Sequence, residues 1–207
     1  MTTNVYVDGF NLYYGAVKGT PYKWLNIGHL CRLLLPNNSI NRIKYFTARV
    51  SARAGDPGQP VRQDIYLRAL RTLPNVEIIF GHFLTNVVKM PLAGCTSNNK
   101  KYASVLKTEE KGSDVNLATH LLYDGFKGNY QEAVLITNDS DLLEPIKIIT
   151  GELKLRVGVL NPHREPSRAL SRHASFIKQI RKGALSVSQF PVQLQDGNGI
   201  FHKPAVW

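Results

Sequence analysis

The sequence predicts an α/β domain with a mostly parallel central sheet of about five strands. Three observations predict it. Short apolar runs alternate with helical patterns along most of the 207 residues, which is the pattern of repeated βα units. Runs such as "AVLIT" (133–137) are apolar throughout, as strands covered on both faces are. No internal repeat, low-complexity tract or linker divides the chain, and its length suits one domain with a sizeable core.

The elements follow in order. "NVYV" (4–7) is the first strand. "IGHLCRLLL" (27–35) has helical apolar spacing and stops at Pro36. "INRIKYFTARV" (40–50) is rich in β-branched and aromatic residues and gives a second strand. Residues 56–73 open with turn chemistry and continue as an amphipathic helix, with Ile65, Leu67, Ala69, Leu70 and Leu73 on one broad face and Pro74 beyond its end. "NVEIIFGHFL" (75–84) is the third strand. Residues 85–107 carry Pro91, Gly94 and the polar "TSNNKK", an excursion with hairpin character. Residues 111–126 form a helix with Ser113 or Asp114 near its start. A fourth strand (132–139), a short helix through Pro145 (141–151), a fifth strand (153–162) and a last helix (167–180) complete a domain of residues 1–181. The segment 182–207 is irregular, and its Val, Leu, Phe and Trp residues pack it on the body.

Composition narrows the function. No apolar run approaches the roughly 20 residues that span a bilayer. "MTTNVYVDGF" lacks the basic start and apolar stretch of a secretory signal, so a cytoplasmic location is expected, with no membrane partner. Cys31 reads as a core residue and Cys95 lies in a polar stretch; neither fits a zinc spacing or calls for a disulfide. The 26 Lys and Arg exceed the 15 Asp and Glu by 11, a surplus that favours a polyanionic partner over none.

In parallel α/β sheets, sites gather outside the carboxyl ends of the strands. Asp8 stands at the end of the first strand, Asp139 and Asp141 at the end of the fourth, and Asp114 at the start of a helix, where a carboxylate is favoured by the helix dipole. Taken singly, each reads as a cap or a turn residue. Together, four of fifteen acids fall where such a sheet places chemistry. Two carboxylates about 4 Å apart repel by about 4 kcal/mol at an effective dielectric of roughly 20, so such a cluster either protonates or binds a divalent cation. All-oxygen ligands suit Mg²⁺ or Mn²⁺. Carboxylate-held metal in a basic protein points to phosphate chemistry. No phosphate-binding glycine loop, G-x-S-x-G elbow or H-E-x-x-H pattern offers another chemistry, and His29, His120 and His173 sit in helical patterns as structural residues.

"VYVDGFNLYYG", "KGSDVNLATHLL" and "VLITNDSDLLEPI", in that order, resemble the NYN domain family, a branch of the PIN-like ribonucleases. The late "LSVSQFPVQLQDGNGIFHKPAVW" is similar to the ends of bacterial members. The resemblance implies a three-layer α/β/α, PIN-like fold and a metal-dependent nuclease site. It implies Asp8, Asp114, Asp139 and Asp141 as metal ligands and catalytic residues, with Asn11 arranging the first acid or the substrate. Thr137, Asn138 and Ser140 are candidates for supporting hydrogen bonds. The expected activity is hydrolysis of phosphodiesters, RNA ahead of DNA, with single-stranded RNA as partner and self-association left open. The rival reading is a non-catalytic nucleic-acid-binding or regulatory module. A haloacid-dehalogenase-type phosphohydrolase wants a second acid two residues after the first, where this chain has Phe10.

Arg49, Arg53, Lys107, Lys111, Arg164, Arg168 and Arg172 lie near the same sheet edge and are the candidate phosphate contacts, each with a solvated face as its plain alternative. Tyr13, Tyr14 and Trp24 are candidates for base stacking or for packing.

Overall fold

A computed structural model describes residues 1–93 and 102–207, so Cys95 and the "TSNNKK" tract lie outside the described residues. Six parallel strands form the central sheet, in the order β3-β2-β1-β6-β7-β8. They are β1 (Thr2–Asp8), β2 (Ser39–Thr47), β3 (Val76–Phe80), β6 (Glu132–Ile136), β7 (Arg156–Asn161) and β8 (Phe176–Gln179). β4 (His82–Pro91) and β5 (Tyr102–Lys111) pair antiparallel as a separate two-stranded arm.

The period-2 pattern of β1 sorts the core into two layers. Val5 and Val7 face one side, where Ile27, Leu30 and Cys31 of α2 (Ile27–Leu34) and Leu67 and Leu70 of α3 (Gln59–Arg71) cover them. Tyr6 faces the other side, with Leu117 and Leu121 of α4 (Ser113–Phe126) and Ile146 and Ile149 of α5 (Leu143–Gly151). The expected helical layers on both faces of a mostly parallel sheet are therefore present.

Two expectations need correction. The sheet has six strands, because the expected last helix is helical only over α6 (Arg168–Ser171) and then turns into β8 at the sheet edge. Gly158 of β7 makes room there: a Cβ on it would meet the Phe176 ring at 2.1 Å. The expected third strand is really two, since Gly81 separates β3 from β4 and sends the chain out into the arm.

Residues 182–207 pack on the first layer. They form α7 (Lys182–Val187) and a hairpin of β9 (Gln193–Asp196) and β10 (Gly199–His202). Leu185, Phe190 and Phe201 enter the core, Trp24 Nε1 donates to the Pro191 carbonyl at 2.7 Å, and Arg68 grips Asp196 through two bonds of 2.7 Å. Among the described residues, no helix is long and apolar enough to cross a membrane.

The strand order reverses between β1 and β6. That makes the carboxyl ends of these two central strands the topological switch point, the crevice where open α/β sheets bind ligands.

Candidate metal centre

Each side of the switch point delivers an acid. Asp8 is the last residue of β1 and the N-cap of α1 (Gly9–Leu12). Its Oδ1 accepts from the Asn11 N–H at 2.9 Å and its Oδ2 from the Thr137 hydroxyl at 3.2 Å. Gly9 must lack a side chain, because a Cβ would come within 2.9 Å of the Tyr45 hydroxyl and 2.7 Å of the Phe46 carbonyl. Asp139 caps the short 3₁₀ turn Ser140–Leu142, with its Oδ1 accepting from the Asp141 N–H at 3.0 Å. Its own N–H donates to Thr137 Oγ1 at 3.1 Å, so Thr137 links the two acids. Asp114 sits in the first turn of α4 after Gly112, whose φ of +93° a glycine adopts without strain.

One carboxylate oxygen from each of Asp8, Asp114 and Asp139 lies within 4.8 Å of the other two. The three are buried, exposed and half-buried in that order, as an ion with an open side requires. Burial, with the charges of Asp114 and Asp139 adding to it, pushes Asp8 up to about 6 against the bonds from Asn11 and Thr137. Burial also raises Asp114, helped by Asp139, Glu110 and Asp141. Such strain is relieved by a cation, and three carboxylates are hard oxygen donors of the kind Mg²⁺ and Mn²⁺ take. The donor set fits a divalent ion.

The remaining candidates divide. Asp141 is exposed and stands outside the three-acid group, although its charge reaches Asp114. Asn11 is a staple: its Oδ1 accepts from the Asn138 N–H at 2.9 Å, joining α1 to the loop after β6. Asn138 in turn accepts from Ser167 N–H at 2.6 Å and donates to the Glu165 carbonyl at 3.0 Å, tying in the loop after β7. Ser140 is exposed.

A cavity of about 550 Å³ opens beside the acids. Tyr13, Tyr45, Tyr66 and Trp207 give it aromatic walls, and of the seven basic candidates Arg53 alone lines it. Arg49 is exposed and paired with Asp64 at 2.5 Å. Lys107 and Lys111 flank Glu109 on the arm, at 2.7 and 3.5 Å. Arg164, Arg168 and Arg172 are exposed around α6. Tyr14 is exposed, whereas Trp24 is a core residue. Glu110, Tyr45 and His163 also line the cavity, and none of them is among the residues to which the sequence points. Glu110 had a readable signal: it precedes the helix start by three residues, and its Oε1 accepts from the Ser113 N–H.

The NYN domain model matches residues 2–185. A 6-hydroxy-3-succinoylpyridine 3-monooxygenase from Pseudomonas putida is 32% identical over 238 aligned positions, covering all of this chain and 75% of that protein. A structure of a protein of unknown function from Vibrio parahaemolyticus matches with a TM-score of 0.57 at 15% identity, covering 87% of this chain and 93% of that one, and so shares the fold. With a matched span running from β1 into α7 and an acidic cluster at the switch point, the chain belongs to the NYN domain family of PIN-like nucleases.

Proposed function

We propose that this chain is a divalent-metal-dependent nuclease that hydrolyses phosphodiester bonds, RNA ahead of DNA. The observation that carries the reading is the three-acid group of Asp8, Asp114 and Asp139 at the switch point, in a chain of net charge +11. These residues would hold Mg²⁺ or Mn²⁺, which polarises a phosphodiester and lowers the pKa of water. The exposed Asp141 adds negative field to the same site through Asp114. Thr137 and Asn11 fix the acids so that little reorganisation accompanies binding. Arg53 and the exposed cations of the arm and α6 supply phosphate contacts along the backbone of a single strand.

The test is cleavage of single-stranded RNA with Mn²⁺ or Mg²⁺, with and without EDTA, by wild type and by Asp139→Asn. Metal-dependent cleavage that the variant loses supports the site. Cleavage that survives in both Asp8→Asn and Asp139→Asn refutes it. Salt-sensitive binding without turnover, across metals and substrates, would favour the non-catalytic module.

One observation favours a second reading. The Pseudomonas putida monooxygenase is similar along the whole chain, and the aromatic cavity beside the acids suits a small molecule. Under that reading the chain hydroxylates a small heteroaromatic compound. Oxygen consumption on adding a hydroxypyridine and a reductant, without RNA cleavage, would select it.

A further inference from the structure

The cavity carries more than its place next to the acids. Its volume of about 550 Å³ is in the range that encloses one small ligand, where a groove for a strand would be longer and shallower. Its walls are amphipathic in a particular way. Tyr45 and Tyr66 stand edge to face, with centroids 6.4 Å apart, and Tyr66 continues the stack onto Trp207 at 5.8 Å. Lys23, Arg53 and Arg62 line the same cavity, and of these Arg62 is held by Asp56.

Among the described residues, the Tyr45 hydroxyl and His163 Nε2 of the lining make no hydrogen bond. Tyr45 is only 7% exposed, yet its hydroxyl makes no hydrogen bond among the described residues. It is lodged against Gly9, next to Asp8. The Tyr66 hydroxyl, by contrast, is spent on the Leu25 carbonyl at 3.0 Å. His163 Nε2 is buried without a partner as well. The Tyr45 hydroxyl is not sealed from solvent, so a ligand in the cavity that Tyr45 lines can pair with it in place of water. His163 lines the cavity as well, but its Nε2 is sealed from it, so the Tyr45 hydroxyl, not His163, is the atom that a ligand reaches.

We propose that this cavity is a subsite for a single planar ring bearing an anionic group, with the ring among Tyr13, Tyr45 and Tyr66, a polar ring atom paired with the Tyr45 hydroxyl, and the anion facing Lys23 and Arg53. The chemistry has two sources: the terminal nucleotide of a strand, or a free heteroaromatic acid. The inference adds to the nuclease reading and rests on it only in supposing that the reacting group of the ligand lies toward the acids. Under the first source, the enzyme reads the end of a strand.

Isothermal titration in EDTA, which leaves the metal site out, tests it with AMP and with pyridine-3-carboxylate. The proposal expects saturable binding of at least one probe. It expects about 3- to 10-fold weaker binding by Tyr45→Phe, which keeps the ring and removes only the hydroxyl. It also expects weaker, less salt-sensitive binding by Arg53→Ala. AMP as the tighter ligand identifies the nucleotide source; pyridine-3-carboxylate as the tighter one identifies the free acid. No binding of either probe, or binding that both variants leave unchanged, overturns the proposal. Metal-dependent cleavage of long RNA is measured separately: its loss sinks the nuclease reading and leaves these titrations standing.

Discussion

Replacing Asp8 with asparagine should make the metal-free protein more stable and, at the same time, blind to metal. Asp8 is 5% exposed, and its carboxyl titrates at about 6 in the fold against 3.8 when unperturbed. That difference disfavours the ionised form in the fold by about 3 kcal/mol. The sign follows from which state holds the proton. Below pH 3.8 both folded and unfolded chains are protonated here and no penalty applies. Between 3.8 and about 6 the folded chain keeps a proton that the unfolded chain has released, so stability falls as pH rises. Above about 6 the full penalty remains. Asparagine removes it. Its carbonyl oxygen can still accept the Asn11 N–H, while the Thr137 bond must reorganise, at a cost of about 1 kcal/mol. The net gain at pH 8 is about 1–3 kcal/mol, a rise in Tm of roughly 2–10 °C for a chain this size. Thermal unfolding in EDTA at pH 5 and pH 8 measures it. Mn²⁺ at about 100 times its dissociation constant should add about 2.7 kcal/mol to wild type and far less to the variant. A variant less stable than wild type in EDTA at pH 8, or one with an unchanged pH slope, would show that Asp8 carries no such penalty.

Other outcomes follow from the same geometry. Asp139→Asn should lower metal-dependent cleavage by about 100-fold or more, because it removes a member of the three-acid group, while the exposed Asp141→Asn should change it by less than about 10-fold; initial rates at fixed Mn²⁺ compare the two. Asn11→Ala cuts the staple to Asn138 without removing an acid, so kcat should fall about 10- to 100-fold while Tm falls only by roughly 2–4 °C. Asp124→Ala should leave the site intact and destabilise the fold by about 3–5 kcal/mol, because it strands buried Lys44, bonded to it at 2.6 Å, and the Tyr6 hydroxyl; urea unfolding reads the loss.

The sequence made some of this legible because the signal was local. Asp8 and Asp139 end apolar strands that are unmistakable by pattern, and the carboxyl-end rule then brings them together without knowledge of register. Asp114 was visible as a helix-start acid. Asp141 looked equivalent to Asp139, two residues away, but the chain turns into a 3₁₀ helix at Ser140 and the extended alternation that would align the two ends there. β8 was hidden because "FIKQ" is a four-residue edge strand following a true helical turn, and its half-buried pattern imitates a helix face. The cavity wall was hidden for a different reason. Tyr45, Glu110 and His163 come from β2, from the arm and from the loop after β7, and only the strand order brings them together. Asn11 was legible as a helper of Asp8, but its partner Asn138 is 127 residues away.

Under the proposed function, Asp8, Asp114 and Asp139 jointly hold a divalent ion at the switch point. Crystals soaked in Mn²⁺ test it most directly, through the anomalous difference map. One strong peak in contact with an oxygen of each of the three carboxylates is expected, and none there in Asp139→Asn. A map with no peak there, or with Mn²⁺ bound elsewhere while the three acids stand apart, would contradict it.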